Sequence, residues 1–77
     1  MNIDDISAEL KKHVPDIIKI SDMHVWEITS NMYSFTAHVQ VSESVYAKSK
    51  AVIDAINRVL TQKYGIEHTT IQVELPS

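Results

Sequence analysis

His24, His38, Gln72 and Glu74 stand at alternate positions of three stretches that favour β-strand: Asp22-Met23-His24-Val25-Trp26, Ala37-His38-Val39-Gln40-Val41 and His68-Thr69-Thr70-Ile71-Gln72-Val73-Glu74. Alternate residues of a strand share one face of a sheet. The pattern therefore gathers imidazole, amide and carboxylate groups on one face and apolar side chains on the other. Three such strands side by side can supply nitrogen and oxygen ligands to a borderline divalent metal ion such as zinc. The chain has four histidines and no cysteine. Thiolate chemistry is thereby excluded, and the remaining donors suit a reversible, exchangeable site better than a closed structural one. Imidazole must be neutral to ligate, so binding is expected to weaken below about pH 6.

The elements that must position these residues can be read from periodicity. Ile6, Leu10 and Val14 recur at four-residue spacing and predict a helix. Asp4, Asp5 and Ser7 crowd its start, where capping oxygens and negative charge suit the exposed amides. Lys11, Lys12 and His13 suit its opposite pole, and Pro15 stops it. His13 reads there as a surface residue. Residues 16–29 are extended with imperfect alternation, a turn is expected at Ser30-Asn31, and Tyr33 to Val41 alternate cleanly as the second arm of a hairpin. A second helix begins at Ser42 to Ser44, with Val52, Ala55, Ile56, Val59 and Leu60 as its apolar stripe. Gly65 is placed to cap it in the left-handed conformation. A last strand, Thr69 to Leu75, follows. The order α-β-β-α-β predicts an α+β fold of two layers, with both helices on one face of a small sheet. The even-numbered polar residues of the last two strands should then face outward.

Length and charge narrow the function. Seventy-seven residues make one domain, 1–77. A chain this short buries only about 60% of its unfolded surface, so a second copy or a larger parent chain would help to stabilise it. The net charge of −3 argues against nucleic acid as a partner, because its binders usually carry a basic patch. No apolar run approaches the roughly 18 residues of a membrane-spanning helix, and no signal peptide is visible. Direct insertion of this domain into a membrane is therefore not expected. Serine and histidine are present, yet no nucleophile elbow, phosphate loop or HExxH pattern accompanies them. The chain reads as a non-enzyme.

Asp22-Met23-His24-Val25-Trp26, Ala37-His38-Val39 and the block from Tyr64 to Glu74 together resemble the cytoplasmic C-terminal domain of cation diffusion facilitator transporters. The resemblance runs from about Ser7 to Leu75, and the final block is its most specific part. It implies a ferredoxin-like, copper-metallochaperone-like fold without the thiolates. It also implies a cytosolic homodimer, V-shaped, beneath the membrane-spanning domain of a parent efflux transporter. Zinc or another divalent cation (manganese, cobalt, nickel, iron or cadmium) would tighten the V and promote transport. His24, His38 and Glu74 fall where that family often places metal ligands. Many members carry His where this chain has Ser21, a poor zinc ligand, so that site is either weakened or built from Asp22.

The remaining candidates are His68, as a further ligand at a strand start, and Asp22, as a carboxylate that ligates or orients an imidazole. Trp26, on the His24 face, is assigned to the dimer interface, where an aromatic ring would bury a large area. Two rivals stand beside the sensing domain: a stand-alone soluble metal carrier, and a dimerisation module whose histidines are incidental. Met1 fits both a stand-alone protein and a domain of a longer one.

Overall fold

In the computed structural model, which describes residues 1–76, the chain runs α1 (Ile3–His13), β1 (Lys19–Thr29), β2 (Met32–Gln40), α2 (Glu43–Tyr46), α3 (Ser49–Tyr64) and β3 (His68–Glu74). This is the expected order, with the second helix divided in two. β1 and β2 are antiparallel and β3 lies parallel to β2, so the sheet order is β1-β2-β3. A parallel return cannot be made by a tight turn and needs a crossover. α2 and α3 provide it.

Phe35, Ala37 and Val39 of the central strand are buried together with Ile6 and Leu10 of α1 and with Val52, Ile56 and Leu60 of α3. The odd-numbered residues of β2 thus face the helices, as its alternation requires. Each large apolar side chain so buried contributes about 1.5–3 kcal/mol relative to exposure. The result is an α+β sandwich with helices on one side of a three-stranded sheet.

The start of α1 differs from expectation. The cap is Asn2, whose side-chain oxygen accepts from the amides of Asp4 and Asp5 at 2.8 and 3.2 Å. Asp4 and Asp5 lie in the first turn, where their charge suits the helix dipole. Two side-chain contacts then tie α1 to the end of α3. Glu9 meets Lys63 at 2.8 Å, and that hydrogen bond holds its carboxyl below the usual range. The Tyr64 hydroxyl donates to Asp5 at 2.7 Å. Burial and that bond push the Tyr64 pKa up to about 12.

The divided helix has a local cause. Ser42 caps α2 by accepting from the Val45 amide at 3.4 Å. The Ser49 hydroxyl then donates to the Tyr46 carbonyl, and Lys48 leaves helical geometry with φ −114° and ψ 35°. Serine side chains offer the backbone such alternatives to continuous helix.

Gly65 ends α3 at φ 68°, its amide donating to the Thr61 carbonyl at 3.1 Å. A Cβ at this position would meet nothing within 4 Å. The cost of Gly65→Ala is therefore confined to the backbone, about 1–2 kcal/mol for a left-handed L-residue. Urea unfolding is expected to show a lower midpoint with an unchanged slope, and an unchanged midpoint would contradict this account of the cap.

Candidate metal site

The helices occupy one face of the sheet. The other face carries Thr36 and His38 of β2, with Thr70, Gln72 and Glu74 of β3. In the strand register His38 lies opposite Gln72 on one side and Ser21 on the other, while Thr36 lies between Thr70 and His24. Parallel and antiparallel pairing around one central strand thus brings three strands' polar residues into rows.

His24 reaches this face through an irregularity in β1. From Ser21 to His24 is three steps along β1, whereas their partners His38 and Thr36 are two steps apart. The extra residue is a β-bulge, which changes the facing parity of the strand. Ile20 before it and Met23 and Val25 after it all pack on the core. Ser21 before it and His24 after it therefore share the open face. Asp22 sits in the bulge at φ 52°, a left-handed conformation that Asp tolerates better than most L-residues. A second register shift between Glu27 and Thr29 leaves Ile28 unpaired and 48% exposed.

Asp22, His24, Thr36, Ala37, His38, Thr70 and Gln72 line one shallow hollow of about 260 Å³. At its rim the Nδ1 of His38 is 3.2 Å from Oε2 of Glu74. The Gln72 side-chain amide donates to the same oxygen at 3.3 Å. The His38 and Glu74 side chains are 39% and 32% exposed, so an ion arriving from solvent has access to both.

The structure thus brings together four of the sequence candidates: His24, His38 and Asp22 around the hollow, with Glu74 against His38. Gln72, which shares their face, completes the group; its place between Thr70 and Glu74, with the same parity as both, is the sequence signal for it. His68 stands apart. It pairs with Ser34, four residues along the strand from Gln72 or about 13 Å, and lines a different hollow beside the Ser30-Asn31 turn and Glu67. Trp26 follows His24 on the open face, opposite Ser34, and is 47% exposed. His13 lies at the end of α1, its Nε2 3.0 Å from Glu9 Oε2.

Imidazole and carboxylate are the donors zinc takes in the absence of thiolate, so the donor types fit. The number of donors held ready does not reach a full set. Among the described residues, no group of three or more His, Asp or Glu side chains is poised to hold a metal ion. Zinc sites are nearly always four-coordinate. The balance must come from side-chain movement, from water or from a second copy.

Residues 1–76 match the family model described as the cytoplasmic domain of cation efflux proteins. The chain is 34% identical over 76 residues to the metal cation efflux system protein CzcD of Cupriavidus metallidurans, covering 94% of this chain and 24% of that protein. It is 31% identical over 74 residues to the zinc transporter ZitB of Shigella flexneri, covering 96% of this chain and 23% of the other. The chain therefore spans about a quarter of the length of these curated relatives. Among solved structures, the metal-bound C-terminal domain of the CzcD transporter superposes with a TM-score of 0.84 at 28% identity, over 97% of this chain and all of that one. The putative zinc transporter CzrB superposes equally well, with a TM-score of 0.84 over 97% of this chain and 93% of that one. Its 18% identity makes this a likeness of fold.

Proposed function

Because the chain belongs to the family of cation efflux protein cytoplasmic domains, we propose that residues 1–77 act as one unit, the dimerisation and divalent-cation-sensing domain of a cation efflux transporter. The cation binds in the hollow of the open sheet face, with His24 and His38 as nitrogen donors and Asp22 as the carboxylate that lines it. Zinc is the cation this donor set favours. The observation that carries the reading is the convergence of both strand histidines on one hollow, made possible by the bulge at Asp22. Two imidazoles from adjacent strands would otherwise face opposite layers.

The incomplete donor set gives the sensing mechanism. A second copy that contributes the missing ligands binds the cation better when the two copies are close. The cation then shifts the population toward the closed dimer by its differential affinity. Trp26, exposed on the same face as His24, is the aromatic contact assigned to that interface. Relatives named as metal-bound and as zinc transporters support the choice of ligand. Transport itself is assigned to a membrane-spanning partner domain, as the family of cation efflux protein cytoplasmic domains implies; no helix among the described residues is long and apolar enough to cross a membrane.

Calorimetric titration with zinc and with manganese, beside sedimentation velocity with and without metal, tests this reading. A dimer that compacts with zinc is expected. Zinc binding by a strict monomer at high concentration would favour a soluble carrier, and a dimer indifferent to metal would leave only a dimerisation module.

Ser21 offers a gain-of-function prediction. It lies opposite His38 in the strand register, on the open face. Ser21→His places there an imidazole able to approach zinc to about 2.0–2.1 Å, whereas a neutral hydroxyl is a weak donor. Tighter zinc binding or a higher stoichiometry is expected by calorimetry. No change in either would show that this position does not address the site.

A further inference from the structure

The sheet has two outer strands, β1 and β3, with β2 between them, and their free edges differ. β1 is broken by the bulge at Asp22 and by the second register shift before Thr29. Such interruptions blunt an edge against pairing with another chain. β3 pairs with β2 over all seven of its residues without a shift. The Glu74 carbonyl accepts from the Val41 amide at 3.0 Å, so it points toward β2. By alternation the backbone groups of Thr70 and Gln72 do the same, and those of Thr69, Ile71 and Val73 point outward. Among the described residues, no other element bonds to the backbone of these three. The side chains of Ile71 and Val73 are only partly buried.

We infer that this edge pairs with β3 of a second copy, antiparallel about a two-fold axis at Ile71. Rotation about that axis sets Ile71 against itself, Thr69 against Val73, Thr70 against Gln72 and His68 against Glu74. Ile71 is the middle residue of His68–Glu74, so this register pairs the whole strand. It also opposes the three outward residues to one another, which uses all their free amides and carbonyls. Charge favours the same register, because an imidazole meets a carboxylate at both ends. Glu74 has an oxygen for that contact, since His38 and Gln72 both engage Oε2 and leave Oε1. A parallel in-register pairing would set Glu74 against Glu74, and like charges directly opposite are destabilising. The two-fold arrangement presents the same patch from both copies and closes at two. Ile71 packs on Ile71, and Val73 on Thr69, over the helical side. Opposed residues share parity, so both open faces lie on one side of a six-stranded sheet and stay uncovered. The contact is therefore separate from the open-face dimer proposed above and does not depend on it.

Isotope-filtered NMR of mixed labelled and unlabelled metal-free chain reads contacts between copies. The expected cross-peak joins the Hα of Thr70 in one copy to the Hα of Gln72 in the other, a non-hydrogen-bonded pair whose Cα atoms lie about 4.5 Å apart. Contacts between copies confined to the open face around Trp26, or none at all, would overturn the pairing. Sedimentation equilibrium in a Trp26→Ala background, which weakens the open-face contact, isolates the edge. There His68→Glu sets carboxylate against carboxylate at both ends and is expected to raise the dimer dissociation constant at least about tenfold. Adding Glu74→His restores opposite charges with the ends exchanged and is expected to recover most of that loss. An unchanged constant in His68→Glu, or a double variant no tighter than the single one, would overturn the pairing.

Discussion

His38→Ala is expected to weaken zinc binding by more than about 100-fold, the upper end of what losing a ligand's hydrogen-bond partner costs, while His13→Ala leaves it unchanged. The two histidines separate cleanly in the structure. His38 stands on the central strand and lines the hollow, its Nδ1 3.2 Å from Glu74 Oε2. His13 ends α1 on the helical layer and is engaged by Glu9. The His38 side chain is 39% exposed and lies on the side of the sheet away from the core, so its truncation leaves no core cavity and the fold should survive. Calorimetric titration of both variants reads the difference. Equal affinities would remove His38 from the site.

Phe35→Ala is expected to destabilise the fold by about 3–5 kcal/mol, the usual cost of emptying a fully buried aromatic position. Phe35 is 0% exposed, in the central strand, in the same core as buried residues of α1 and α3. For a chain of 77 residues a total stability of about 4–12 kcal/mol is typical, so much of it would be lost. Ser34→Ala, one residue away on the open face, should stay within about 0.5 kcal/mol of wild type. Urea denaturation of the pair measures both effects. Similar midpoints for the two variants would place the core elsewhere.

These two predictions rest on residues of one strand, His38 and Phe35, that face opposite sides of the sheet, and that contrast was readable in the sequence. β2 and β3 alternate without interruption, and only one face of the sheet is buried, so a slip of one residue would turn every apolar side chain to water. The open-face positions of His38, Gln72 and Glu74 followed. β1 was less legible. Its apolar residues change from even (Ile20) to odd (Met23, Val25), which in the sequence looks like a strand covered on both faces. The extra residue at Asp22 is the physical reason, and its signal is weak, because Asp takes the left-handed conformation far less readily than glycine. The break between α2 and α3 was hidden for a similar reason. Hydroxyls at Ser42 and Ser49 compete for backbone partners only once the chain has bent. The cap at Asn2 was missed because Asp4 and Asp5 are equally good capping types, and only the backbone shows that both lie inside the first turn.

The site divides in the same way. Residue type and parity could assign His24, His38 and Glu74 to one face, and could add His68 to them. Parity says nothing of distance along a strand, however, and His68 lies beside the hairpin turn rather than the hollow. Nor does it tell which side chains of one face touch. Those distinctions come from the parallel register of β3 on β2 and from the shared contact of Glu74 with His38 and Gln72.

The ring nitrogens of the four histidines offer the most direct test of whether a divalent cation binds at this face. In a zinc titration followed by long-range proton–nitrogen NMR, the His24 and His38 rings are expected to shift together at low metal, with His13 and His68 unmoved. Early shifts at His13 or His68, with His24 and His38 unaffected, would contradict the account.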